Sequence, residues 1–106
     1  MNSVSKYLTI AKDIVMKHIP QDQYAVFLFG SRAEGKEKRT SDIDIGIIGN
    51  NEFPIMNKSD LEDELEESII PYKVDIVDFK KVSDDFKKIA LKHIQIWNCP
   101  KAIEIK

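Results

Sequence analysis

The chain has 106 residues, enough for one modest core, and we expect a single domain over residues 1–106. Sixteen basic and eighteen acidic residues give a net charge of −2, which argues against nucleic acid as the main partner, because nucleic-acid-binding faces carry a basic excess. No apolar run reaches the roughly 20 residues of a membrane helix, so we expect no membrane association, and the single cysteine is typical of a cytoplasmic protein.

The first half of the chain is predicted to form one helix and two strands. Apolar residues at helical spacing predict a helix over residues 3–18. The apolar, β-prone run 24–29 predicts a buried strand, and 31–41 is a polar loop that can open with a helical turn. Alternation over 42–48 predicts a second strand, followed by a loop over 49–58.

The next elements are an acidic helix and a third strand. Ser59 and Glu62 have the spacing of a capping box, which predicts that the helix begins there. We expect its apolar face to consist of Leu61, Leu65 and Ile69. The run 73–79 then predicts a strand.

The chain ends in a predicted helix that Ser83 caps. Its expected apolar stripe contains Phe86, Ile89, Ala90, Ile94 and Trp97. The alternating tail 102–105 is a candidate edge strand. The order of elements predicts an α/β (α+β) fold, a small mixed β-sheet with helices packed on one side, and it leaves the strand order open.

Two aspartates in the second strand are the first candidate functional residues. Asp42 and Asp44 share one face of the strand, because side chains alternate, while Ile43 points into the core. Gly46 follows on the same face and is expected to leave it open. Two like charges need a counter-ion, and Mg²⁺ prefers oxygen ligands. The alternative is a strand end with two solvated aspartates.

A turn and a third strand supply further candidates. Gly30 and Ser31 end a buried strand, where backbone N–H groups, the Ser31 hydroxyl and the Arg32 guanidinium can bind phosphate. The alternative is an ordinary tight turn. In the third strand, Asp75 and Asp78 lie on opposite faces, so only one can join a carboxylate cluster, and the other is expected to be a solvated residue at the strand end.

These elements together resemble a known pattern. Gly30-Ser31, ten further residues, Asp42-Ile43-Asp44 and a later apolar-flanked Asp75 are similar to the minimal nucleotidyltransferases of the superfamily related to DNA polymerase β. The resemblance runs from about Tyr24 to Phe79, over half the chain, and implies the polymerase β-like nucleotidyltransferase fold.

The resemblance also implies roles for individual residues. Gly30, Ser31 and Arg32 would bind the triphosphate of ATP. Asp42, Asp44 and Asp75 would be the catalytic carboxylates and the ligands of a two-ion Mg²⁺ site. Asp75 would in addition help to deprotonate the acceptor hydroxyl.

The resemblance further implies a partner. Minimal nucleotidyltransferases commonly accompany a HEPN-domain toxin and act as antitoxins by transferring AMP to one of its tyrosines. Because only one helix and a tail follow the third strand, we expect the acceptor site to come from such a partner or from a second copy in a homodimer. The alternative is a nucleotide-binding antitoxin that masks its partner sterically with little or no catalysis.

Overall fold

A computed structural model of the chain describes residues 3–35 and 42–105. Its elements in chain order are α1 (Ser3–His18), β1 (Tyr24–Phe29), α2 (Ser31–Glu34), β2 (Ile43–Gly49), α3 (Ile55–Glu67), β3 (Val74–Asp78), α4 (Asp84–Ala90) and β4 (Gln95–Asn98). Among the described helices, none is both long enough and apolar enough to span a membrane.

The four strands form one mixed sheet in the order β3-β2-β1-β4. β1 pairs with β2 and with β4 in antiparallel fashion, whereas β2 and β3 are parallel. A parallel pair requires a crossover connection, and α3 supplies it. The predicted mixed α/β fold is therefore confirmed, and the strand order, which the sequence left open, is now known.

The two long helices cover one face of the sheet. Apolar side chains of α1 and α3 pack there against the isoleucines of β2, and the central members of this core are Ala11, Val15, Leu61, Leu65, Ile43, Ile45 and Ile47. The helices are also joined to each other, because Glu64 of α3 contacts both Lys17 and His18 at the end of α1. The predicted alternation of β2 is confirmed, because Ile43, Ile45 and Ile47 lie in this core.

The opposite face of the sheet carries an aromatic cluster of Phe27, Phe29 and Phe79. Residues of α4 and the segment after it pack on this cluster. The expectation that the helices lie on one side therefore holds for α1 and α3, but not for α4, because the three rings form an apolar surface that must be covered.

Gly46 does not leave its face open as predicted. A Cβ at Gly46 would collide with the ring of Phe27 and would come within 2.8 Å of the ring of Phe79. The rings of Phe27 and Phe79 fill the space above this glycine, so the face is closed at Gly46.

The start of α3 differs from the prediction. The helix begins at Ile55, and Pro54 occupies the N-cap position without any side-chain hydrogen bond. Proline suits a helix start, because its fixed φ is compatible with helix and its missing N–H is not needed there. The capping box at Ser59 and Glu62 is therefore wrong. Ile69 is also misplaced, since it follows the helix and its surface is 66% exposed.

The C-terminal region confirms one prediction and corrects two. Ser83 caps α4, because its Oγ accepts a hydrogen bond of 3.2 Å from the Phe86 N–H. The helix ends at Ala90, so Ile94 and Trp97 do not lie on it. The edge strand is β4, at 95–98, and not the tail 102–105, because residues 95–98 pair in antiparallel fashion with the free edge of β1.

Candidate active site

Two carboxylates lie side by side on the aromatic face of the sheet. Asp44 of β2 and Asp75 of β3 are register partners in the parallel pair, and Phe29 of β1 is the partner of Asp44 on its other side. Side chains of register partners share a face. The structure therefore brings together two of the three predicted catalytic carboxylates. They lie at the end of the sheet that contains the C-terminal end of β1.

The electrostatic environment of Asp44 reflects this crowding. Burial is the main cause that raises the pKa of Asp44 above its ordinary value, followed by the negative charges of Asp75 and Asp42. The cations Lys73 and Arg32 act in the opposite direction and only partly offset these effects. Negative charge at this point is thus unfavourable unless a cation is bound there.

Gly30 adjoins the same carboxylate. Its φ is 76° and its ψ is −159°, a backbone conformation that residues other than glycine rarely adopt. A Cβ at this position would also overlap Oδ2 of Asp44 and lie only 3.2 Å from its Cγ. Two features therefore require glycine at this position: the backbone conformation of the turn from β1 into α2, and the close approach of Asp44 to the backbone.

Arg32 is almost fully buried, with 5% of its surface exposed. Its guanidinium carbon lies 4.6 Å above the centre of the Tyr72 ring, and its Nε donates a hydrogen bond of 3.2 Å to the carbonyl oxygen of Asp42. These contacts tie the segment before β3 and the segment before β2 to the turn after β1. Arg32 thereby positions the backbone of Asp42, a role that the sequence did not indicate.

Asp42 itself lies just before β2 and is exposed. Its negative charge is the third cause that raises the pKa of Asp44, after burial and the charge of Asp75. Within the described part of the chain, however, no three acidic, histidine or cysteine side chains are close enough together to hold a metal ion as a group. The structure thus pairs Asp44 with Asp75 and leaves Asp42 at the margin of the site.

Asp78 lies on the face opposite to Asp75, as predicted, but it is not solvated. Only 6% of its surface is exposed. Its carboxylate accepts hydrogen bonds of 2.8 Å from the Phe53 N–H and 3.0 Å from the Lys80 N–H. Asp78 therefore holds two loops together by satisfying buried backbone donors, which explains an acid inside an apolar strand.

Sequence reasoning missed two residues beside Asp75. The Nζ of Lys73 lies 3.6 Å from Oδ1 of Asp75, and Tyr72 stacks with Arg32. Both line a cleft of about 490 Å³ between α3 and β3, to which Asp75 also contributes. Strand alternation could have indicated Lys73, which lies two residues before Asp75 and so shares its face. No comparable signal marks Tyr72.

Comparison with known proteins decides the family. Residues 11–99 match the family described as Polymerase beta, Nucleotidyltransferase. The chain belongs to this family. The match includes every candidate residue of the site, from Gly30 to Asp75, and it confirms the resemblance found in the sequence, together with the expectation of a nucleotidyltransferase.

Individual relatives agree with this assignment. The chain is 35% identical over 101 residues to the probable protein adenylyltransferase MntA of Haemophilus influenzae, covering 94% of this chain and 87% of that nucleotidyltransferase. A crystal structure of a toxin–antitoxin pair with AMP-PNP matches with a TM-score of 0.64 and 25% identity, covering 83% of this chain and 73% of that one.

A second solved structure shows the same fold. It contains a tri-AMPylated HEPN toxin of Shewanella oneidensis in complex with an MNT antitoxin. It matches this nucleotidyltransferase with a TM-score of 0.60 and 21% identity, covering 86% of this chain and 72% of that one.

Proposed function

We propose that this nucleotidyltransferase transfers AMP from ATP to a hydroxyl group of a partner protein, and that it acts as an antitoxin by doing so. The observation that carries the proposal is the pair Asp44 and Asp75, held side by side next to the Gly30 turn. The protein adenylyltransferase of Haemophilus influenzae, which covers nearly the whole chain, supports AMP as the transferred group.

The carboxylates of the site suit Mg²⁺. Asp44 and Asp75 offer hard oxygen ligands in the place where negative charge is least favourable without a cation. Asp42, whose charge reaches Asp44, would be the third ligand. Bound Mg²⁺ would neutralise the phosphates of ATP and align them for in-line displacement.

The residues of the chain then have separate tasks. The backbone at Gly30 and the hydroxyl of Ser31 would donate hydrogen bonds to phosphate oxygens, and Arg32 would add positive charge beside them. The acceptor oxygen forms a bond to the α-phosphorus of ATP, the bond from that phosphorus to the bridging oxygen breaks, and pyrophosphate leaves. Asp75 would accept the proton of the acceptor hydroxyl.

The partner in this proposal is a HEPN-domain toxin, and the acceptor is one of its tyrosines. An MNT antitoxin of the same fold is found in complex with a tri-AMPylated HEPN toxin. A homodimer is the other arrangement that could complete the acceptor site. A cytoplasmic location, inferred from the single cysteine, remains a prediction.

The decisive experiment incubates the protein with ATP labelled at the α-phosphate and Mg²⁺, with and without the product of the neighbouring gene as the candidate partner. We expect label on the partner, and loss of the label with Asp44→Asn. Asp60→Asn is the matched control, because it removes one exposed carboxylate from α3. Toxin neutralisation without any label, unchanged by Asp44→Asn, would instead support steric masking.

A further inference from the structure

A second cleft opens directly beside the Gly30 turn. Its volume is about 200 Å³. It lies between the end of β1, α4 and the segment that leads into β4, and its lining residues are Phe29, Gly30, Phe86, Ile89, Ala90 and His93. The cleft is on the same face of the sheet as the carboxylate pair, because Phe29 is the register partner of Asp44.

The lining of this cleft contains an aromatic ring, Phe86, and two side chains that are exposed to solvent, Ile89 and His93. Phe86 is 40% exposed, yet its ring packs against the rings of Phe29 and Phe79, whose centres lie 6.1 and 5.6 Å away. Ile89 is 71% exposed, and His93 is exposed as well. An aromatic ring held in place by two others can bind a flat ligand with little loss of conformational entropy.

We propose that this cleft binds the base of the nucleotide donor. The base would stack on Phe86, Ile89 would form the apolar wall beside it, and a ring nitrogen of His93 would form a hydrogen bond with an edge of the base. This inference rests on the proposed function, since it assumes that a nucleoside triphosphate occupies the turn at Gly30.

The position of Gly30 is the reason for choosing a base as the occupant. Gly30 lies next to the carboxylate of Asp44 and also lines the cleft. With no side chain of its own, it places no barrier between the two. The base of a nucleotide whose phosphates bind at Gly30 and Ser31 can therefore reach this cleft. A ligand without phosphates would gain nothing from a cleft that adjoins a phosphate site.

The test compares two ligands that differ only in whether they carry a nucleoside. Affinities for AMP-PNP and for inorganic tripolyphosphate, each with Mg²⁺, are measured by calorimetry for the wild type, Phe86→Leu and Phe86→Tyr. Leucine keeps an apolar side chain of sufficient size for folding, and tyrosine keeps the stacking ring. Ile96→Ala is the matched control, because Ile96 is an exposed apolar residue of β4 outside the cleft.

We expect Phe86→Leu to weaken AMP-PNP binding by roughly fivefold to a hundredfold, the range for loss of one base-stacking contact. Phe86→Tyr should restore it, and tripolyphosphate affinity should stay unchanged in all variants. His93→Ala should weaken AMP-PNP alone. If Phe86→Leu leaves AMP-PNP affinity unchanged, the base binds elsewhere; if it weakens only binding of the HEPN partner, the cleft belongs to that partner. A wild type that binds neither ligand would refute the proposed function itself.

Discussion

The carboxylate of Asp44 occupies the space in which a side chain on Gly30 would have to lie. An ideal Cβ on Gly30 would come well within 3.0 Å of Oδ2 of Asp44, a separation that real Cβ atoms essentially never show. The contact joins the turn after β1 to β2, since Gly30 directly follows the last residue of β1 and Asp44 belongs to β2. The glycine of the proposed phosphate-binding turn and a carboxylate of the proposed metal site are thus parts of one packed unit.

Replacement of Gly30 tests this contact. Gly30→Ala should lose about 1–3 kcal/mol for the positive φ alone, and more because Asp44 must move. AMP transfer should fall about a hundredfold, the effect expected when a reacting group is displaced by about 1 Å. Thermal unfolding and single-turnover AMP transfer give the two values.

Gly35 provides the control for Gly30→Ala. Its φ is also positive, at 73°, but no heavy atom in the described part of the chain lies within 4 Å of its Cβ position. Gly35→Ala should therefore show the backbone strain without the collision. Equal losses in the two variants would mean that Asp44 can move away from Gly30 without consequence.

The raised pKa of Asp44 predicts a stability that depends on pH. Because the folded state disfavours the ionised carboxyl, the unfolded chain loses this proton first as the pH rises above the ordinary value of 3.8. Wild-type stability should then decrease with rising pH through the raised pKa. Asp44→Asn removes the charge, so its melting temperature without ligand should exceed that of the wild type by about 2–8 °C at pH 7.

The difference between Asp44→Asn and the wild type should become small well below pH 3.8, where the carboxyl is protonated in both the folded and the unfolded state. Mg²⁺ with ATP should raise the melting temperature of the wild type and not of the variant. A constant difference across this pH range would show that the ionisation of Asp44 does not affect stability.

The two acids of β3 should respond differently to the same substitution. Asp75→Asn should reduce AMP transfer at least about a hundredfold, the low end for loss of a positioned acid–base group. Its stability should change little, since Asp75 is only half-buried. Single-turnover transfer at saturating ATP and Mg²⁺ measures the loss.

Asp78→Asn is expected to do the reverse. It should lower the free energy of unfolding by about 1–3 kcal/mol, because the N–H groups of Phe53 and Lys80 donate to different oxygens of Asp78 and asparagine replaces one of these oxygens with an NH₂ donor. AMP transfer well below its melting temperature should be largely retained. A dead but stable Asp78→Asn would contradict the placement of the site on the face of Asp75.

Arg32 is expected to act through its contacts with Tyr72 and Asp42. Arg32→Lys keeps the charge but loses the planar stack and the Nε hydrogen bond to the Asp42 carbonyl. The rate of AMP transfer should fall about tenfold or more, because the backbone at Asp42 is no longer held in place by this hydrogen bond. Tyr72→Phe keeps the ring and should match the wild type. If Arg32→Lys is fully active, the charge alone is what the site requires.

Several features could be predicted because they depend on local pattern. The alternation of β2 places Ile43, Ile45 and Ile47 on one face and Asp44 on the other, and any sheet that buries those three isoleucines must preserve this. The opposite orientations of Asp75 and Asp78 follow from their spacing in the same way. The cap at Ser83 is equally local, since it depends on an N–H three residues away.

Other features depend on contacts between distant parts of the chain. The sequence pattern places Trp97 on the last helix and an edge strand at 102–105, whereas pairing with the free edge of β1 makes residues 95–98 the strand. The rings over Gly46, the stack of Arg32 on Tyr72 and the burial of Asp78 all involve residues from separate elements. Thus the residue types of the site could be recognised in the sequence alone, because each strand carries its own pattern. Their neighbours could not, because sheet order and loop packing, which no single segment encodes, decide which side chains meet.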